Sequence, residues 1–229
     1  ALHLLPESKR FLFRSAASFI GFLADLPENP KNINDLVSLK LKDDQGCYKS
    51  GLVLIGSYIP LSSRQLKYLL ENDCCIGVEI MVEHVLSLLN DPNNSLNMNE
   101  YKQLLLDNIY QILHARKTPV LYTSRREFIF KNKKEKIKLS IQLAEFMSSM
   151  ISELTPYLGY LISKGGITTN TLLLKGLQCK QVKLEGQIMP GLSLLTAHIK
   201  KNLQLPVVTF PGNLGDQSTL IDAFKIMDS

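Results

Sequence analysis

Short unbroken apolar runs alternate along this chain with stretches in which apolar residues recur every three or four positions. Residues 51–55 (GLVLI) form a continuous apolar run that stops at Gly56 and Ser57, which predicts a buried parallel strand. Leu66, Leu69 and Leu70 then fall at helical spacing within residues 62–71, with Ser62 or Ser63 as the candidate N-cap. A second strand is predicted at 76–81 and a polar loop at 90–99 (NDPNNSLNMN). An amphipathic helix carrying Leu104, Leu105, Ile109, Ile112 and Leu113 follows, stopped by Thr118 and Pro119 ahead of a strand at 119–123. Residues 134–154 read as a long helix whose stripe is Ile137, Ile141, Ala144, Met147, Ile151 and Leu154, with a strand at 157–162 after it. The last third gives a short helix at 168–177 closed near Gly176, a strand at 181–188, a strand at 206–210 and a helix at 217–227. The first thirty residues, with FLFRSAASFIGFL, fit a strand and a helix of the same domain.

Strands alternating with helices of this length predict an α/β fold, a mainly parallel sheet with helices on both faces. No internal repeat or linker breaks the pattern, so residues 1–229 are expected to form a single domain. The composition agrees: 45% of residues are hydrophobic and 21% charged, enough for a large core and far from a disordered chain. No apolar run nears the ~18 residues of a membrane helix. The start, ALHLLPESKR, carries no secretory signal and no initiating Met, and reads as a processed start or a piece of a longer protein.

The net charge of +5 is concentrated in residues 125–138 (RREFIFKNKKEKIK), where Phe128 and Phe130 interleave with the bases. Two readings stand for this segment, a phosphate-backbone contact and a solvated loop entering a helix. No nucleic-acid motif accompanies the charges, so neither nucleic acid nor membrane is assigned as a partner. The four cysteines (Cys47, Cys74, Cys75, Cys179) form no C-x-x-C pair, which points to a reducing, cytoplasmic setting. The four histidines lack zinc-ligand spacing, and no metal ligand is assigned.

Three glycine-bearing segments each follow a predicted strand and precede a predicted helix: GSYIPLSS (56–63), SKGGITTN (163–170) and PGNLGDQS (211–218). Ligands of open α/β sheets gather beyond the carboxyl ends of strands, and glycines let backbone N–H groups approach an anion. Singly, each segment is equally a turn and cap. Together they indicate a phosphate or nucleotide site, although neither the P-loop nor the dinucleotide fingerprint is present. No acid–base or nucleophile set is legible, so the catalytic residues remain unassigned. Asp43, Asp44, Glu71 and Asp73 read as loop charges, Glu145 and Glu153 as the wet face of the long helix. Ser124, Arg125 and Arg126 read either as an anion contact or as an exposed strand-end basic pair.

LISKGGITTNTLLLKGL, VKLEGQIMPGLSL and PVVTFPGNLGD, in this order, resemble the C-terminal nucleotide-binding domain of the four-carbon acid sugar kinases. KRFLFRSAASFI, GLVLIGSYIPLSSRQLKYLL and PVLYTSRRE resemble earlier segments of that family, so the likeness spans nearly the whole chain. The resemblance implies ATP- and Mg²⁺-dependent phosphorylation of a hydroxyl on a tetronate or 3-oxo-tetronate acid sugar. It places nucleotide contacts on Ser57, on Lys164, Gly165, Gly166, Ile167 and Thr168, and on Gly212, Asn213 and Gly215. Lys164 reads either as charge near a phosphate or as an exposed strand-end lysine. The family's substrate domain opens on an acidic D-D-x-T-G-A-like motif that this sequence lacks, so the acid sugar would be bound by a further N-terminal domain. By itself the chain is expected to bind nucleotide and catalyse nothing, and a homo-oligomer is compatible with the resemblance. Where many relatives carry an Asp shortly after GGIT, Thr169, Asn170 and Thr171 stand here. The alternative is a non-catalytic module of the same descent that binds a metabolite or a protein.

Overall fold

The structure is a computed structural model that describes residues 12–13, 31–90, 95–125, 133–199 and 203–229. The chain divides into two compact units, Ala1–Pro30 and Lys31–Ser229. Of the first, only residues 12–13 are described, in irregular backbone, so the strand and helix expected in the first thirty residues lie outside the described residues.

The second unit is built on one seven-stranded sheet in the order β2-β3-β1-β4-β7-β6-β5. Its strands are β1 (Leu52–Ile55), β2 (Cys75–Ile80), β3 (Thr118–Thr123), β4 (Leu161–Lys164), β5 (Val182–Met189), β6 (Leu192–His198) and β7 (Gln204–Phe210). The first five in that spatial order run parallel, whereas β6 and β5 close one edge antiparallel. The helices are α1 (Ile33–Val37), α2 (Pro60–Leu70), α3 (Val82–Asn90), α4 (Ser95–His114), α5 (Lys133–Leu154), α6 (Gly166–Thr171) and α7 (Thr219–Asp228). A single π-type turn, Leu172–Gly176, extends α6. The expected mainly parallel α/β sheet with helices on both faces is what the unit forms.

The strand alternation shows why both faces are covered. Leu52 and Leu54 of β1 pack with α4, α5 and the π turn through Ile109, Met147, Ile151 and Leu172. Val53 and Ile55 point the other way, against Leu66 and Leu69 of α2 and Phe224 and Met227 of α7. All four β1 side chains are fully buried, which requires the unbroken apolar run that the sequence carries. Each such side chain contributes about 1.5–3 kcal/mol.

Several details depart from the sequence pattern. α2 starts at Pro60, with Ile59 as N-cap and no side-chain cap, so neither Ser62 nor Ser63 caps it. Proline at the first helical turn has φ already set for a helix and no N–H to satisfy, and it claims the start two residues earlier. α4 begins at Ser95, inside the segment expected to be a loop, and α3 was not foreseen. On α5 the buried stripe begins at Leu139, while Ile137 and Ile141 are exposed. The strand expected at 157–162 starts only at Leu161 and runs on through Lys164, after a 3-10 turn at Thr155–Tyr157. The β5–β6 hairpin turns at Pro190 and Gly191, the latter at φ +80°, and brought in a strand that the pattern did not predict.

Gly159, just before β4, packs backbone to backbone. Its N–H donates to the Ser50 carbonyl at 2.8 Å, and a Cβ there would lie 2.1 Å from the Lys49 carbonyl oxygen. Because backbone cannot swing aside as a side-chain tip can, Gly159→Ala is expected to cost on the order of 3 kcal/mol. Thermal unfolding should show a midpoint lower by roughly 10 °C; an unchanged midpoint would contradict this packing.

Candidate functional site

β1, β4 and β7 are immediate neighbours, so the three glycine-bearing loops that follow them lie side by side at one end of the sheet. Their chain continuations diverge: α2 after β1 packs on one face, whereas Leu172, just beyond α6, packs on the other. Adjacent strands whose connections leave to opposite faces create the crevice in which doubly wound sheets bind ligands.

The loops touch through their glycines. A Cβ on Gly56 would fall 1.9 Å from Thr168 Oγ1, and one on Gly212 2.9 Å from Ser57 Oγ. Gly165 takes φ +118°, a conformation that L side chains rarely adopt, and donates its N–H to the Phe210 carbonyl at 2.9 Å. Gly166 is exposed, and a Cβ there would meet nothing within 4 Å. Gly215, at φ +76°, packs against Thr219, and Asp216 accepts from the backbone N–H groups of Ser218 and Thr219 at 3.0 and 3.1 Å. The Thr219 hydroxyl, which donates to the same carboxyl at 2.8 Å, is foremost in holding the Asp216 carboxyl below its ordinary range, and these backbone bonds add to it.

Ser62, expected as a cap, instead sits buried between two loops. Its hydroxyl donates to the Gly212 carbonyl at 3.1 Å and lies within hydrogen-bonding distance of Ser57 Oγ, 3.0 Å away. Gln65 of α2 similarly donates to the Leu214 carbonyl at 3.1 Å and the Asp216 carbonyl at 2.5 Å. Sequence reasoning missed both, because a Ser and a Gln inside a helix carry no local sign of a partner some 150 positions away.

Of the residues predicted to contact nucleotide, Ser57, Gly165, Thr168 and Gly212 converge, and Gly166 and Ile167 are exposed beside them. Asn213 and Gly215 are exposed on the third loop, with no link to the other two among their described contacts. Lys164 corrects one reading: it is fully buried, not an exposed strand-end lysine. Its ammonium donates to the Pro211 and Gly212 carbonyls at 3.1 and 3.2 Å and lies 3.9 Å from the centre of the Phe210 ring. Burial, with the Arg125 charge adding to it, pulls its pKa down to about 8.

Arg125 is likewise no exposed basic pair member. Its Nη1 donates to the Ser57 carbonyl at 2.5 Å, and burial lowers its pKa to about 10 against the opposing influence of Tyr122 and Glu79. The rest of the basic segment, 126–132, lies outside the described residues. Thr169 spends its hydroxyl on Ser163, 2.8 Å from Oγ and 3.1 Å from the carbonyl.

Beside the loops lies a cavity of about 450 Å³. Its lining joins Gly56, Thr168 and Arg125 from the strand ends to Leu139, Leu143 and Met147 of α5, with Lys136 and Ser140 of the same helix. Such a lining offers a ligand both apolar contact and polar or cationic groups. Among the described residues no group of three or more His, Cys, Asp or Glu could hold a metal ion, and no helix is long and apolar enough to cross a membrane. All four cysteines are free thiols.

Residues 52–220 match the family model of a nucleotide-binding C-terminal domain. No curated protein matches the chain. Among solved structures, a domain of unknown function (DUF1537) from Bordetella bronchiseptica, a domain-swapped dimer with bound citrate, superposes with a TM-score of 0.59 at 18% identity. The likeness covers 78% of this chain and 41% of that one. A Haemophilus influenzae protein of the same DUF1537 family model superposes at 0.52 with 16% identity, over 78% and 40% of the two chains. These likenesses establish a shared fold, and the chain spans about two fifths of the length of either structure.

Proposed function

This chain belongs to the nucleotide-binding C-terminal domain family, and from that premise we propose that it binds ATP at the junction of its three loops, as the phosphoryl-donor half of a kinase acting on a four-carbon acid sugar. One observation carries the reading: a fully buried lysine, Lys164, and a half-buried arginine, Arg125, whose Nε and Nη2 are shut away from water, stand beside loops whose glycines keep the backbone free of side chains. Buried positive charge next to an open cleft needs anionic partners, and a triphosphate supplies several.

The residues present fit ATP. Gly166 leaves open space where a β-carbon would stand, Ser57 and Thr168 offer hydroxyls, and Leu139, Leu143 and Met147 of α5 suit a base. Within this arrangement Lys164 fixes the PGNLGD loop through two carbonyls, and Arg125 fixes the GSY loop through Ser57. A Mg²⁺ ion would arrive on the phosphates, since Mg²⁺ keeps most of its water and takes few protein ligands. Thr169, Asn170 and Thr171, which follow the GGIT segment, offer no carboxylate to such an ion. Phosphoryl transfer rests on positioning and charge stabilisation of donor and acceptor. Transfer to the sugar is proposed for the protein in which this unit meets an acceptor-binding domain.

Calorimetric titration with Mg-ATP is expected to show saturable one-to-one binding in the micromolar to millimolar range typical of enzyme substrates. Gly166→Leu should abolish it with an unchanged melting temperature, because the added side chain has room in the fold and occupies the ligand's space. If wild type takes up no ATP at 5 mM, the reading is wrong.

A further inference from the structure

Arg125 follows β3 directly, where the cavity meets the GSY loop. One edge of its planar guanidinium is used, Nη1 donating to the Ser57 carbonyl. The other edge carries Nε and Nη2, both shut away from water and without a hydrogen-bond partner among the described residues. The guanidinium carbon lies 5.6 Å from the centre of the Tyr122 ring, and Glu79 and Lys164 act on the guanidinium only through their charge. Two parallel N–H donors on one edge of a guanidinium match the two oxygens of a carboxylate or a phosphate, the strongest pairing this side chain makes. A buried donor left without an acceptor costs free energy that an arriving acceptor recovers.

We infer that Arg125 is a specificity residue whose Nε–Nη2 edge grips one oxyanion of the bound ligand bidentately while its Nη1 sets the Ser57 loop. This rests on the proposed nucleotide site for its location, though not for its chemistry. Two sources offer the same oxyanion, a phosphate of the nucleotide and the carboxylate of an acid sugar. Lysine keeps the charge and can still reach one carbonyl, but it cannot form the two-pronged pairing.

The test compares wild type with Arg125→Lys and Arg125→Ala, in the full chain, by calorimetric titration. The probes are adenosine, ADP, ATP, pyrophosphate and erythronate, with melting temperatures recorded for each protein. A phosphate source predicts that Arg125→Lys weakens ATP, ADP or pyrophosphate by roughly tenfold to a hundredfold and leaves adenosine unchanged. A carboxylate source predicts the same loss for erythronate with the nucleotides unchanged. Either result supports the grip, and methylguanidinium should restore part of the lost affinity to Arg125→Ala where methylammonium does not. If Arg125→Lys binds every anionic probe as wild type does, the inference is overturned while the nucleotide site stands. If wild type fails with ATP yet loses pyrophosphate or erythronate on substitution, the nucleotide reading fails and the grip stands. If no anionic probe binds wild type, both fall.

Discussion

Replacing Gly56 by Ala is expected to empty the nucleotide site while leaving the sheet folded. The new Cβ would fall 1.9 Å from Thr168 Oγ1 and 2.9 Å from Thr168 Cβ, so one of the two loops must move. β1 cannot yield, since Val53, Leu54 and Ile55 are held on both sides by β3 and β4. The displacement therefore goes to the six-residue helix α6 and carries Gly165, Gly166 and Thr168 with it. A misplacement of about 1 Å at a positioning element can cost a hundredfold, so ATP affinity should fall by on the order of 10²-fold. Stability should fall by only about 1–3 kcal/mol. Thr168→Ala removes two of the three opposing atoms, so the double variant should recover part of the loss, with a coupling of about 1 kcal/mol or more. Additive effects on affinity, or a Gly56→Ala protein that binds ATP normally, would remove Gly56 from the site.

What the sequence made legible was whatever depends on neighbours along the chain. The runs at β1, β3 and β7 and the three glycine-bearing loops stand out because burial on both faces and close backbone approach leave local composition signals. Ser62 has cap chemistry and so suggests a cap on α2, yet its hydroxyl serves Ser57 and Gly212 while Pro60 sets the helix start. The exposed reading of Lys164 failed for a related reason. A lysine ending a strand looks solvated until the register pairs it with Ile55 on one side and Phe210 on the other. Arg125 also belongs to this class, its role set by a carbonyl 68 positions away. Side chains that join loops from different strands are fixed by strand order, and strand order leaves no mark on any one segment.

Lys164 gives the second large effect, through pH. Its folded pKa of about 8 lies below the 10.5 of an ordinary lysine, so between those values the unfolded chain holds more protons than the folded one. Stability therefore rises with pH across the window from about 8 to 10.5, and is flat with respect to this group below it. Nucleotide binding should move oppositely. A polyanion favours the ammonium form, so above pH 8 binding must take up a proton, and affinity should fall by up to about tenfold per pH unit. Lys164→Met removes the charge and leaves the Pro211 and Gly212 carbonyls without their donor. It should therefore bind ATP on the order of 10²-fold more weakly at pH 7, with little further loss on raising the pH. Denaturant unfolding of both proteins at pH 7 to 10 isolates this lysine by difference, since Cys75, pushed up to about 12 by burial, and the raised Tyr160 are common to the pair. Parallel stability curves for the two proteins would mean that Lys164 keeps its proton throughout, and that its buried charge is held by the Pro211 and Gly212 carbonyls and the Phe210 ring alone.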